Sequence, residues 1–122
     1  RLQQYLTEGK RLYQLHCSNC HQQDGAGLAK LYPPLLNSGY LLTNRAEVIC
    51  GMRLGQKGEI IVNGTVFNQP MPENPRLTDL EIAEIATYVY TVFADTIQLV
   101  TVQEVRDIFA SCPDRMRSNR GE

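Results

Sequence analysis

A chain of 122 residues with a net charge of −1 has room for one domain and not for a second. The near-neutral balance excludes nucleic-acid binding through a strong overall basic field. With 43% hydrophobic residues the composition is that of an ordinary globular protein, and its apolar runs fall well short of the ~20 residues needed to span a bilayer. No charged-then-apolar leader opens the chain at Arg1, so removal of a signal or anchor, or excision from a larger protein, is expected.

In chain order, Leu2, Tyr5, Leu6, Gly9, Leu12 and Tyr13 recur at helical spacing and predict a helix from Leu2 to His16. Gly9 within that stripe costs about 1 kcal/mol relative to Ala, which is understandable where another backbone must come close. From Gln22 to Asn44 the periodicity dissolves, and Asp24-Gly25-Ala26-Gly27 and Pro33-Pro34 are turn signals. Asn44 with Glu47 reads as a cap on a short helix, Arg45 to Leu54, closed by Gly55. Ile60-Ile61-Val62 and Thr65-Val66-Phe67 flank Asn63-Gly64, a hairpin signal because both turn residues accept positive φ. Asn68 to Pro75, with three prolines around Met71, predicts extended loop.

The strongest helix signal runs from Asp79 to Ala94. Thr78 and Glu81 form a capping box, and Leu77 and Ile82 a hydrophobic staple. Glu81, Glu84, Thr87 and Thr91 make one polar stripe on an otherwise apolar, buried helix. A last helix repeats the device with Thr101 and Glu104, and with Val100 and Val105. It places Val105, Ile108, Phe109 and Cys112 on one face. The tail from Pro113 is polar, carries three arginines and is expected to fray. One domain over residues 1–112 with a flexible tail over 113–122 is the expected organisation.

The four cysteines divide unevenly. Cys17 and Cys20 are separated by two residues and followed at once by His21, whereas Cys50 and Cys112 stand alone, which suggests two jobs. Cys17-Ser18-Asn19-Cys20-His21 is the attachment pattern for c-type haem. Two thiols so spaced reach the two vinyl groups on one porphyrin edge, and the next side chain falls beneath the iron. A zinc site needs two further ligands, typically another close Cys or His pair, and none exists. A thioredoxin-like pair should follow a strand and open a helix, whereas here a helix precedes the motif and loop comes after it. A structural disulfide is the third alternative.

For the iron's sixth position the candidates are His16, Met52, Met71 and Met116. His16 precedes the anchor and is poorly placed to reach the opposite face. Met52 sits in an apolar helix, where a flexible thioether fills gaps, and Met116 lies in the tail. Met71 stands in Gln69-Pro70-Met71-Pro72, a proline-stiffened loop able to hold sulfur against iron. Met71 is the expected ligand, with packing under the loop as its alternative role.

Gly9 and Tyr13 before the Cys17–His21 motif, Pro33-Pro34-Leu35, Met71 and a late helix with Ile85 and Tyr88 together resemble class I cytochrome c. The resemblance covers Tyr5 to Phe93. It implies a mainly α fold: three core helices around one covalent haem c, here with a small inserted β-hairpin and an additional C-terminal helix. First and last core helices cross in that family, which would explain Gly9 and Tyr88. A proline carbonyl accepts the proton of the ligand histidine there; Pro33 or Pro34 matches, and Pro34 is placed among the cofactor-binding residues. Tyr40, Arg45 and Arg53 lie where the family supplies propionate donors. Of these, Tyr40 is expected to bind the cofactor, and the arginines are equally readable as solvated surface.

The departures from the family also carry an implication. Cys50 and Cys112 look like a disulfide fastening the extra helix, with two buried free thiols as the alternative. Haem attachment of this kind implies an extracytoplasmic compartment, most simply a bacterial periplasm, where disulfides persist. His/Met ligation raises the reduction potential and leaves no open position. The implied function is therefore single-electron transfer, not catalysis, as a carrier or as a domain through which electrons enter a larger oxidoreductase. The implied partners are an upstream donor and a terminal oxidase or reductase, met weakly over a largely neutral rim of Gln22, Gln23 and Ala26. The alternative is a haem domain with a labile sixth ligand acting in catalysis or gas sensing.

Overall fold

A computed structural model describes residues 1–112. Met116 and the expected tail fall outside the described residues, as does the boundary placed at 112/113. Helix α1 (Leu2–His16) buries Tyr5, Gly9, Leu12 and Tyr13, the inner part of the stripe read from the sequence. These side chains pack on α5 (Asp79–Tyr88). Gly9 marks the close approach: an added Cβ would strike the Glu84 carbonyl and lie 2.8 Å from Tyr88 Cβ.

Helix α5 starts where its local chemistry dictates. Thr78 Oγ1 accepts from the Glu81 amide at 3.1 Å, and the Thr78 amide donates to Glu81 Oε1 at 2.9 Å, while Leu77 and Ile82 are buried. The predicted single helix to Ala94 does not persist as α-helix. A π-helical turn replaces its end over Val89–Phe93, with the Ala94 amide donating to the Val89 carbonyl at 3.3 Å. That wider turn seats Phe93 against Tyr13 and Tyr88, with ring centroids 5.2 and 5.5 Å apart.

The polar stripe is corrected in its second half. Thr87 is fully buried, because its hydroxyl accepts from the Val100 amide at 2.9 Å and donates to the Ala83 carbonyl at 2.8 Å. Thr91 Oγ1 accepts from the Gln98 amide at 3.2 Å. The two threonines thus hold the segment leading to α6 (Val102–Phe109).

At α6 the Thr101 hydroxyl caps the Glu104 amide at 3.1 Å, but the expected reciprocal bond is replaced. Arg45 captures the Glu104 carboxylate with bonds of 2.7 and 3.1 Å, a bidentate pair stronger than a backbone contact.

Between the two core helices lie α2 (Ser18–His21), within the cysteine motif, and α3 (Gly39–Thr43), a short helix inside the stretch where the periodicity dissolves. Four or five residues show too little periodicity to reveal a helix. Helix α4 (Arg45–Leu54) has its expected span, but Asn44 does not cap it; its side-chain amide donates to Thr43 Oγ1 at 2.9 Å instead. Strands β1 (Ile60–Val62) and β2 (Thr65–Phe67) pair antiparallel with Ile61 opposite Val66. The turn residues Asn63 and Gly64 have φ of 51° and 81°, as the Asn-Gly signal requires. Among the described residues, no helix is long and apolar enough to cross a membrane.

Helices α4 and α6 are joined three ways. The Cys50 and Cys112 sulfurs are at disulfide distance, with Cα atoms 6.0 Å apart. Arg45 pairs with Glu104 while its guanidinium lies 4.8 Å over the Tyr90 ring. Arg53 lies 4.4 Å over Phe109 and donates to the Leu77 carbonyl and to Asp79. The two arginines, readable from sequence either as propionate donors or as solvated surface, are thus ties between helices.

Candidate functional site

Helices α1, α3, α4 and α5, the hairpin and the proline-rich loop surround a cavity. Its wall brings together Cys17, Cys20 and His21 from the motif, Pro33 and Pro34 from the turn region, and Tyr40 and Met71. Residues spread from position 17 to position 71 in sequence therefore meet at one largely apolar space. His16 is not among the lining residues; it is exposed, with Nδ1 3.3 Å from the Asn74 amide nitrogen.

Cys17 and Cys20 are half-buried and not bonded to one another. Burial, with Cys20 as a lesser cause, pushes the Cys17 thiol up to about 12, so it stands protonated and neutral. His21 Nδ1 lies 2.9 Å from the Pro33 carbonyl oxygen. A carbonyl can only accept, so Nδ1 carries the proton and Nε2 is left with its lone pair. Burial lowers the imidazole pKa against the opposing effect of that bond, favouring the neutral ring a metal requires. The acceptor is Pro33, not Pro34, which only lines the wall. Turn geometry decides between adjacent prolines, and sequence does not encode it directly.

Several supports hold the motif in place. Tyr13 is fully buried beside it and its hydroxyl donates to the Gln22 carbonyl at 2.6 Å, bracing the residue after His21 at a φ of 66°. The Gly27 amide donates to the His21 carbonyl at 3.0 Å. Tyr13 is legible in sequence only as helix core, because its hydroxyl partner lies across the fold.

On another part of the wall, Met71 is half-buried in its proline-flanked loop. Its amide and carbonyl exchange bonds of 2.8 and 2.9 Å with Gln56. Met52, read from the sequence as core filler, is in the core at 8% exposure and also lines the cavity. Tyr40 lines it too, but its hydroxyl donates to Glu47 Oε2 at 3.1 Å and accepts from Gln56 Nε2 at 3.0 Å. Gln56 carries no sequence signal; an isolated Gln after a helix-ending Gly reads as surface.

The donor set suits a haem better than a bare ion. No group of three or more His, Cys, Asp or Glu among the described residues could hold a bare metal ion. One imidazole, two thioethers and two thiols on an apolar wall suit an iron that brings its own equatorial donors on a flat macrocycle. Two adjacent thiols suit covalent attachment of that macrocycle. The residues fit the group.

Comparison with known proteins agrees. The family model for cytochrome c matches residues 6–93, which leaves α6 outside the match. Cytochrome c-552 of Thermus thermophilus is 29% identical over 115 residues, covering 85% of this chain and 86% of that protein. The fructose dehydrogenase cytochrome subunit of Gluconobacter japonicus is 33% identical over 111 residues, covering 85% of this chain and 22% of the subunit.

Proposed function

Given that the chain belongs to the cytochrome c family, we propose that Cys17 and Cys20 hold its haem c through thioethers and that His21 and Met71 are the axial ligands. Haem-based electron transfer with protein redox partners is the function that the family and its relatives support. When bound, the haem supplies reversible one-electron cycling between ferric and ferrous iron. The observation that carries the ligand assignment is the meeting of Cys17, Cys20, His21 and Met71 on one apolar cavity.

Each residue has a defined task. The Pro33 carbonyl fixes the His21 tautomer and raises the basicity of its Nε2. The Met71 thioether would hold the iron from its own part of the wall, and as a soft ligand it would favour the reduced state and raise the potential. Tyr13, Leu41, Ile85 and Val89 keep water from the wall they line, which limits reorganisation during transfer. Pro34 and Tyr40 complete the pocket.

Covalent haem and the Cys50–Cys112 pair support an extracytoplasmic, periplasmic setting. Two roles share this chemistry: a carrier of the cytochrome c-552 kind, or a domain receiving electrons within a larger oxidoreductase. The second is supported by the match to a stretch amounting to 22% of a dehydrogenase's cytochrome subunit.

Absorption spectroscopy of the oxidised holoprotein tests the ligand assignment. Met71→Ala is expected to abolish the weak red band characteristic of methionine bound to ferric iron, and to open the reduced protein to carbon monoxide. Met52→Ala is expected to keep the band. Loss in Met52→Ala alone would transfer the role to Met52. Ready carbon monoxide binding by the unmutated reduced protein would instead favour a labile sixth position.

A further inference from the structure

The loop that carries Met71 has few means of holding itself. Pro70, Pro72 and Pro75 have no amide hydrogen, so Met71, Glu73 and Asn74 supply the donors between positions 70 and 75. Two of those three go to the end of α4. The Met71 amide donates to the Gln56 carbonyl at 2.8 Å, and the Asn74 amide donates to the Arg53 carbonyl at 2.9 Å. The Arg53 carbonyl belongs to the last turn of α4, whose acceptors lack partners within the helix. In return the Gln56 amide donates to the Met71 carbonyl at 2.9 Å.

Gly55 makes this approach possible. It is buried at a φ of 75°. A Cβ there would stand 2.6 Å from the Met71 carbonyl oxygen and 2.8 Å from the Glu73 nitrogen. Those are backbone atoms that cannot rotate aside. Gln56 is anchored from behind, since its side-chain amide donates to the Tyr40 hydroxyl at 3.0 Å, which donates in turn to Glu47 at 3.1 Å.

We propose that Gly55 and Gln56 are the positioning residues for the sixth ligand, a backbone clamp through which the end of α4 sets how firmly the Met71 sulfur is held toward the iron. The proposal rests on Met71 being that ligand. The clamp acts on strength of ligation and not on presence of the haem. Its loss lets a competing ligand displace the thioether while the covalent attachment and the His21 side remain as they were.

The test is imidazole titration of the oxidised holoprotein, read by loss of the red band. Far-UV circular dichroism in urea is measured alongside. Gly55→Ala and Gln56→Pro are each expected to raise imidazole affinity about tenfold, the scale of one lost backbone hydrogen bond or a modest steric push. Gln56→Ala keeps both backbone bonds and is expected to give a smaller rise than Gln56→Pro. A merely structural role would lower the urea midpoint and leave imidazole affinity within about twofold of the unmutated protein, and that result overturns the clamp. If Gly55→Ala yields no folded holoprotein, Gln56→Pro decides alone. Met71→Ala separates the two readings. If it loses the band while the clamp variants bind imidazole normally, the ligand assignment stands and the clamp falls. If Met71→Ala keeps the band, both fall.

Discussion

A methyl group added at Gly9 would run into the Glu84 carbonyl and come within 2.8 Å of Tyr88 Cβ, atoms of a packed helix with nowhere to move. Overpacking of this kind typically costs 1–3 kcal/mol, so Gly9→Ala is expected to lose about 2–3 kcal/mol in urea unfolding of the holoprotein. A loss below about 0.5 kcal/mol, the range of an ordinary surface substitution, would show that α1 can shift on α5 freely. The need for close approach at Gly9 is legible in the sequence, because a glycine inside an apolar stripe weakens its own helix without local gain. Gly55 is not legible in the same way. A glycine after a helix is the commonest stop, and only the fold puts the Met71 carbonyl against it. The Cys17–His21 motif is legible because its spacing is itself the chemistry, whereas the choice of Pro33 over Pro34 depends on a turn that positions one carbonyl 2.9 Å from His21.

Among the elements, helix starts are easier to read than helix ends. Thr78 and Glu81 encode their cap within four residues of chain, and the structure has both bonds. Glu104 is expected from sequence to complete the same device, but Arg45, distant along the chain, takes its carboxylate. Thr87 reads as solvent-facing because its burial depends on a stretch of chain thirteen residues later. Asp79 shows how such long-range ties set pH dependence. It opens α5 and accepts from Arg53 at 2.7 Å and from Arg106 at 3.4 Å. The Arg53 hydrogen bond is the main cause holding its carboxyl below the usual aspartate value. A carboxyl depressed in the folded state contributes stability above its unfolded pKa, and that stability disappears as pH falls through the folded pKa. Because the pair is partly open to water its worth is modest, so Asp79→Asn is expected to lose about 0.5–1 kcal/mol at neutral pH. The difference should shrink below about pH 4 as the native aspartate protonates. Urea midpoints of both proteins across that range would measure it; a gap that persists undiminished in acid would assign the loss to packing.

For the molecule as a whole, the family match ends at residue 93, where the π-helical turn closes on the Tyr13–Tyr88–Phe93 cluster. From there to Cys112 the chain forms a strap. It is pinned by Thr91 and Thr87, crosses to α4 through Arg45–Glu104, and is fastened at Cys50–Cys112. The strap grips α4 along its length through Arg45, Cys50 and Arg53, and the C-terminal end of α4 grips the Met71 loop, so the segment that departs most from the family backs the helix that holds the proposed ligand. The two lone cysteines hint at this arrangement in sequence, but their pairing is readable only through the resemblance. Closing a 62-residue separation restricts the unfolded chain by about 4 kcal/mol in the chain-entropy account. The Cys50→Ala/Cys112→Ala double variant is accordingly expected to lose up to about 4 kcal/mol in urea unfolding, mainly by relieving the unfolded state. With two cysteines in the proposed thioethers and two in the bridge, the unmutated holoprotein, denatured without reductant, should show no reactive thiol. Two reactive thiols would place Cys50 and Cys112 in the reduced state and remove this contribution. Among the described residues, the same fastening would then rest on Arg45, Arg53 and the apolar contacts of Ile108 and Phe109.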